Sequence, residues 1–215
     1  MQWQQIYDLG GLNQSIFYAV NSIQFPGWET LMMSGTRLGN FYTAFGMYMA
    51  VALLILLWRN HLLRGTRESM ASSVELGRVL LALTVVACSH VISQEISETI
   101  KTLVPMPRPY VALPEDTVHK LDTWLTAKND YQSFPSGHAA FTAVLLWGFW
   151  PLMSRKLRIV AGIMAVWVIT SRMALGVHFP SDLLAGFLQG SVTVLILRQV
   201  LKRLTNPALS FPRIN

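Results

Sequence analysis

Apolar residues in this chain are gathered into long blocks, without the alternating or striped spacing of a fold that meets water on one face. A bilayer core about 30 Å thick needs roughly 20 apolar residues in a helix, because each residue advances about 1.5 Å. Five blocks qualify: Phe41 to Trp58, Val74 to Ile100, Ala139 to Met153, Ile159 to Leu175, and Leu183 to Leu201. The third is the shortest and needs Ser136 to His138 to complete it. Ahead of Phe41 the pattern weakens. Ile16, Phe17, Val20 and Ile23 keep helical spacing, but Asn13, Gln14, Asn21, Gln24, Glu29 and Arg37 interrupt it. That segment reads as an amphipathic helix lying at the interface, with a sixth span as the alternative. The expected fold is all-α, a polytopic transmembrane helical bundle. Residues 1–215 form one membrane-embedded domain, divided into an N-terminal segment (1–40) and a helical core (41–203).

Composition supports this picture. Hydrophobic residues make up 52% of the chain and charged residues only 13%, too few to cover a soluble globule of 215 residues. The net charge of +6 sits in short loops between apolar blocks and forms no continuous stripe, which argues against a nucleic-acid partner. The one cysteine, Cys88, lies inside an apolar block and reads as a small buried hydrophobe. The start, Met-Gln-Trp-Gln-Gln, lacks the basic and apolar regions of a cleavable signal, so insertion is expected from internal segments.

The basic loops also orient the bundle. Arg59, Arg64, Arg67 and Arg78 follow the first block, Arg155, Lys156 and Arg158 follow the third, and Arg198, Lys202 and Arg203 mark the tail. By the positive-inside rule these share the cytoplasmic side. The N-terminus, the segment from Lys101 to Phe134 and the turn from Ser171 to Asp182 then emerge on the opposite face. In a bacterium-like cell that face of the inner (plasma) membrane is periplasmic or exterior.

Three polar clusters fall on this outer face. In the first, Lys101 and Arg108 are separated by six residues, and Pro105, Pro107 and Pro109 stiffen the approach of Arg108. A guanidinium can bind two phosphate oxygens at once and an ammonium adds a compact charge, whereas simple snorkelling to headgroups is the bland reading. The second, Phe-Pro-Ser-Gly-His, stands where a loop gives way to the third block. Pro135 suits a first helical turn, Ser136 offers a hydroxyl, and Gly137 lets an anion approach the N–H groups of a helix start. His138 is placed to protonate a leaving oxygen. An ordinary helix cap is the competing account.

The third cluster links the fourth and fifth blocks through Ser171, Arg172, His178, Pro180 and Asp182. Pro180 disfavours helix at Phe179, so His178 is expected in a turn and Asp182 in the first turn of the last helix. The carboxylate can then fix the imidazole tautomer and free the other nitrogen for attack, as the acid does in a Ser-His-Asp triad. Arg172 offers a second clamp. A capping aspartate with an incidental histidine is the alternative.

Taken together, Lys101-x6-Arg108-Pro109, Pro135-Ser136-Gly137-His138 and Ser171-Arg172-x5-His178-x3-Asp182 resemble the tripartite signature of the type 2 phosphatidic acid phosphatase superfamily. The resemblance implies a lipid phosphatase, a hydrolase working through a phosphohistidine with no cofactor and no metal. It implies attack by His178, orientation by Asp182 and protonation of the leaving alkoxide by His138. Lys101, Arg108, Ser136, Gly137 and Arg172 would hold the phosphoryl oxygens. The chemistry fits, since phosphoryl transfer is driven by positioning and a cationic cradle. The expected partners are the bilayer and a lipid phosphate: undecaprenyl diphosphate, phosphatidylglycerophosphate, phosphatidic acid or lipid A. A lipid-to-lipid phosphotransferase and a non-catalytic lipid-binding or transport protein are the competing classes.

The remaining polar residues have simpler readings. Glu98 stands at i,i+3 to Lys101 and suggests an ion pair on one helix face, with Glu95 a turn away. His90 reads as a hydrogen-bonded core residue, and His61 and His119 as loop residues. The stretch from Tyr110 to Gln132 is either a headgroup-selecting lid or a plain surface loop.

Overall fold

The computed structural model describes residues 7–40, 46, 54, 69–120 and 129–204. The described residues are helical, with no strand and one isolated bridge between Met106 and Gln132. In chain order the helices are α1 (Leu12–Asn21), α2 (Trp28–Leu38), α3 (Ser69–Leu103), the short α4 (Pro109–Ala112), α5 (Gly137–Phe149), α6 (Arg155–Ala174) and α7 (Pro180–Leu204). Within the described residues, three segments are long and apolar enough to cross a bilayer: Leu76–Leu103, Arg155–Ala174 and Pro180–Leu201. The chain is an integral membrane protein. The block from Phe41 to Trp58 lies outside the described residues, as does His61, apart from the isolated positions 46 and 54.

The block from Ala139 to Met153 differs from expectation in length. It forms the 13-residue α5 and then a 3₁₀ turn, Trp150–Leu152. At about 1.5 Å per residue this helix is roughly 20 Å long, less than a bilayer core. Arg198 also departs from its reading as a tail residue. It lies within α7, buried, with Nη1 donating to the carbonyl of Trp147 at 3.1 Å.

Close helix crossing sets the architecture. Gly186 and Gly190, one turn apart on α7, face the backbone of Ser136 and Ala140 on the start of α5. A Cβ at either glycine would collide with a main-chain carbonyl oxygen there. Small residues four apart allow two helix backbones to approach this closely in a membrane. Gly148 instead makes room for the side chain of Val86 on α3. α3 and α7 are further tied by Gln189, whose Nε2 donates to the carbonyl of Ser93 at 2.7 Å and whose Oε1 accepts from Ser97 at 2.9 Å.

The N-terminal segment is more than an interfacial helix. A turn over residues 22–27 divides it, and Gly27 enters α2 at φ 88°. On α1 the buried residues are Asn13, Phe17 and Asn21, at intervals of four. The asparagines that interrupt the apolar pattern therefore face inward, where they bond to main-chain groups. Asn13 Oδ1 accepts from the N–H of Ser181 at 2.9 Å. Asn21 Nδ2 donates to the carbonyls of His119, Met173 and Ala174, and its Oδ1 accepts from the N–H of His119. Phe17 joins Leu113, Ala139, Met173, Phe179 and Leu183 in one core cluster directly beneath the polar clusters.

Candidate functional site

His178 is aimed by the way α6 stops. Gly176 adopts φ 74°, its N–H donates to the carbonyl of Met173 at 2.9 Å, and the N–H of Val177 donates to that of Arg172 at 3.1 Å. This paired ending is a Schellman motif, and it suits a glycine because an L side chain resists the left-handed region. Gly176 is doubly constrained, since a Cβ there would lie 2.6 Å from the carbonyl oxygen of His119. The chain then runs through His178 to Pro180, where α7 begins as expected.

Asp182, in the first turn of α7, is fully buried. Its Oδ2 reaches back to the N–H of Phe179 at 2.9 Å, capping the helix start, and also accepts from Ser133 Oγ. The same oxygen lies 3.3 Å from His178 Nδ1. Oδ1 accepts from the hydroxyl of Tyr7. Capping and histidine orientation, posed as alternatives by the sequence, thus coincide in one carboxylate. His178 is 4% exposed, with Nδ1 also 3.4 Å from Ser133 Oγ and Nε2 3.4 Å from Arg108 Nη1. Burial, reinforced by the charges of Arg108 and Arg172, pushes its imidazole well below the usual range, so the ring is neutral near pH 7.

Arg108 is buried and more committed than a free clamp. Nε donates to the carbonyl of Asn129, Nη1 to that of Val177 and Nη2 to that of Gln132, each at 2.9 Å. It thereby joins the loop after α3, the loop before α5 and the turn carrying His178. A guanidinium has five N–H donors, so two remain for the imidazole and an incoming anion. Arg172, 3% exposed in the last turn of α6, donates from Nη1 to Thr36 Oγ1 on α2. Lys101, in the last turn of α3, pairs with Glu98 at 2.8 Å, and Glu98 also accepts from Gln94 Nε2 at 3.0 Å. The i,i+3 pair expected from sequence is therefore formed.

Ser136 is the N-cap of α5, yet its hydroxyl makes no capping bond. Pro135 precedes the cap instead of occupying the first turn, and its peptide bond with Phe134 is cis. The Ser136 N–H donates to the carbonyl of Asp182 at 3.0 Å, which brings the starts of α5 and α7 together. Gly137 opens α5 with a hypothetical Cβ 3.9 Å from Gln94 Oε1, and His138 follows. His138 lies within electrostatic reach of Arg172, His178, Arg108 and Lys101, so the three sequence clusters meet in space. Three buried atoms at this meeting point have no partner among the described residues: Ser136 Oγ, His138 Nε2 and Arg172 Nε. Native proteins rarely leave such atoms bare, and an anion bound where the clusters meet would give each a partner.

Sequence reading missed Tyr7, Thr36 and Ser133. Ser133 carried the nearest signal, three residues before Ser136. Tyr7 and Thr36 carried none, because nothing in an isolated helix pattern says which polar residue turns inward. His119 does more than occupy a loop. Its Nε2 meets Glu29 at 2.9 Å, and its main chain binds Asn21. The stretch from Tyr110 to Gln132 is pinned where it is described. Tyr110 donates to Asp130 at 2.9 Å and carries Lys120 over its ring at 4.0 Å, while residues 121–128 lie outside the description.

Fold and site together define a helical integral membrane protein with a buried polar centre of two histidines, two arginines and an aspartate, gathered where two helices begin. The chain belongs to the PAP2 superfamily, whose family model matches residues 75–206, and this membership supports a phosphatase of the hydrolase class. Solved structures share the fold. One is LpxE from Aquifex aeolicus, with a TM-score of 0.62 and 20% identity, covering 86% of this chain and 93% of that one. Another is a transmembrane PAP2-type phosphatidylglycerolphosphate phosphatase from Bacillus subtilis, with a TM-score of 0.59 and 23% identity, covering 93% and 89%. No curated protein matches the chain in sequence.

Proposed function

We propose that this protein removes phosphate from a lipid phosphate or diphosphate by a metal-independent, two-step reaction through a phosphohistidine. The supporting observation is the set of three bare, buried polar atoms, Ser136 Oγ, His138 Nε2 and Arg172 Nε, beside a neutral His178. In the first step His178 Nε2 forms a bond to phosphorus as the bond to the lipid oxygen breaks, and His138, protonated as the anionic substrate enters, gives that oxygen its proton. In the second, water attacks the phosphohistidine, with His138 accepting its proton, and inorganic phosphate leaves. Asp182 holds Nδ1–H and balances the charge that develops on the ring. Arg108, Arg172, Lys101, Ser136 and the N–H groups at Gly137 cradle the phosphoryl oxygens.

The site opens toward the periplasmic or outer face in this reading, because the basic loops occupy the other side. Undecaprenyl diphosphate or a broad range of glycerolipid and prenyl phosphates suits a site at headgroup level, beside apolar helices that take the tail. The test is phosphate release by purified protein from phosphatidic acid, phosphatidylglycerophosphate, undecaprenyl diphosphate and lipid A, with excess chelator. Release by wild type and its loss in His178→Ala is the expected result. Undiminished release by His178→Ala rules out this nucleophile, and loss on chelation rules out the metal-free reaction. Labelled phosphate appearing on an added acceptor lipid, without free phosphate, identifies a phosphotransferase.

A further inference from the structure

The two carboxylate oxygens of Asp182 are held differently. Oδ2 is shared: it accepts from Ser133 Oγ, accepts from the N–H of Phe179 at 2.9 Å, and faces His178 Nδ1 at 3.3 Å. Oδ1 is held by the phenol of Tyr7, 175 residues away in sequence. Tyr7 is itself fastened at several points. Its carbonyl accepts from Ser181 Oγ at 3.0 Å, and Asn13 on α1 accepts from both the N–H and the hydroxyl of Ser181 at 2.9 Å. Its ring stands edge-on to Phe134 and to Phe179, with centroids 6.0 Å apart in each case. Phe134 lies two residues before Ser136 and Phe179 directly follows His178, so the ring is wedged between two of the three clusters.

A carboxylate turns easily about its last torsion, which has a broad, two-fold profile. Without an anchor on Oδ1, Ser133 and Phe179 can draw the group toward themselves, and the contact to His178, already the longest of the set, is the one that lengthens. We propose that Tyr7 is a positioning residue, its hydroxyl fixing Oδ1 so that Oδ2 stays aimed at His178 Nδ1. The N-terminal segment is thereby part of the catalytic machinery, although it lies outside the family match over residues 75–206. This rests on the roles given above to His178 and Asp182. Burial beside the carboxylate raises the phenol's pKa, so Tyr7 remains a donor throughout the physiological range.

Tyr7 makes none of the cradle contacts, so its loss acts on the chemical step and not on lipid binding. The test compares Tyr7→Phe, Asp182→Asn and the double variant, each as purified full chain. Phosphatidic acid and phosphatidylglycerophosphate in detergent micelles are the probes, and thermal melting is followed in parallel. Tyr7→Phe keeps the ring wedge. Its kcat is expected to fall about 10- to 100-fold, the range of one hydrogen bond to a charged group, with KM unchanged and melting lowered modestly because buried Asp182 Oδ1 loses its donor. Because both residues act through one carboxylate, Tyr7→Phe costs nothing further in the Asp182→Asn background, whereas independent effects would multiply. If Asp182→Asn is impaired but Tyr7→Phe stays within about twofold of wild type, the positioning role is overturned and the wider reading stands. Full multiplication in the double variant assigns Tyr7 a structural role instead. Wild-type rates in Asp182→Asn, or no release by wild type from these two lipids, undecaprenyl diphosphate or lipid A, overturn the underlying reading and this inference with it.

Discussion

The N–H of Ser136 donates to the carbonyl of Asp182 at 3.0 Å, so the N-cap of α5 and the first turn of α7 are joined through main chain alone. The bond persists only while Gly186 leaves room, because a Cβ there would collide with the carbonyl oxygen of Ser136. Main chain cannot swing aside as a flexible side chain can. Gly186→Ala is therefore expected to separate the two helix starts. Overpacking of this kind costs about 1–3 kcal/mol, and a displaced cradle should lower activity about tenfold or more. Gly190→Ala, one turn deeper against Ala140, should destabilise comparably and spare more of the activity. Melting curves and phosphate release for both variants make the comparison, and a fully active, normally stable Gly186→Ala would show that the close crossing does not shape the site.

Arg108 is expected to matter for stability as well as for binding. An ammonium cannot serve the diverging carbonyls of Asn129, Val177 and Gln132, so Arg108→Lys leaves at least one without its donor. An unpaired buried acceptor costs about 1–3 kcal/mol. The variant should melt lower and turn over more slowly, with the turn carrying His178 loosened. Unchanged melting alongside lost activity would confine Arg108 to contact with the phosphoryl group.

The depressed pKa of His178 sets the direction of two pH effects. The imidazole stays neutral as pH falls past its ordinary value of about 6.5, so the acid limb of kcat/KM attributable to the nucleophile lies below that value. Removing the positive charge of Arg108 by Arg108→Gln relieves the second of the causes and should move that limb upward, while burial, the largest cause, remains. For stability, the unfolded chain takes up this proton first. His178's contribution is complete above about pH 6.5 and is lost as pH drops from there toward the folded value. Rate profiles from about pH 4 to 8 on both proteins test this, and a wild-type limb above 6.5 would contradict it.

The sequence makes some of this legible and hides the rest for identifiable reasons. Pro180 announced the start of α7, and the spacing of His178 and Asp182 foretold their contact, because both follow from backbone rules acting over a few residues. Glu98 and Lys101 were readable for the same reason. The inward turn of Asn13 and Asn21 was not. Their partners, Ser181 and the carbonyls of His119, Met173 and Ala174, lie about 100 residues or more along the chain, and helical spacing treats a buried amide as an interruption. Arg108 was readable as a cation of the first cluster, but its three carbonyl partners arise only once separate loops meet.

Ser136 offers the sharpest separation of a structural from a chemical role, because the chain contains its own control. Ser154 begins α6 as an N-cap whose side chain accepts from the N–H of Leu157 at 3.4 Å. Ser136 begins α5 in the same N-cap position but leaves its hydroxyl buried and without a partner among the described residues. Replacing a working cap serine by alanine costs about 0.5–2 kcal/mol. Ser154→Ala is thus expected to lower melting toward the small end of that range, its cap bond being long, and to leave activity intact. Ser136→Ala forfeits no capping bond, so melting should hold or rise slightly as a bare buried hydroxyl is removed. Its cost should appear in turnover, about 10-fold or more, for loss of one donor to the phosphoryl oxygens. The reverse pattern, with Ser136→Ala unstable and fully active, would make Ser136 an ordinary helix cap and remove one of the three bare atoms on which the proposed phosphate cradle rests.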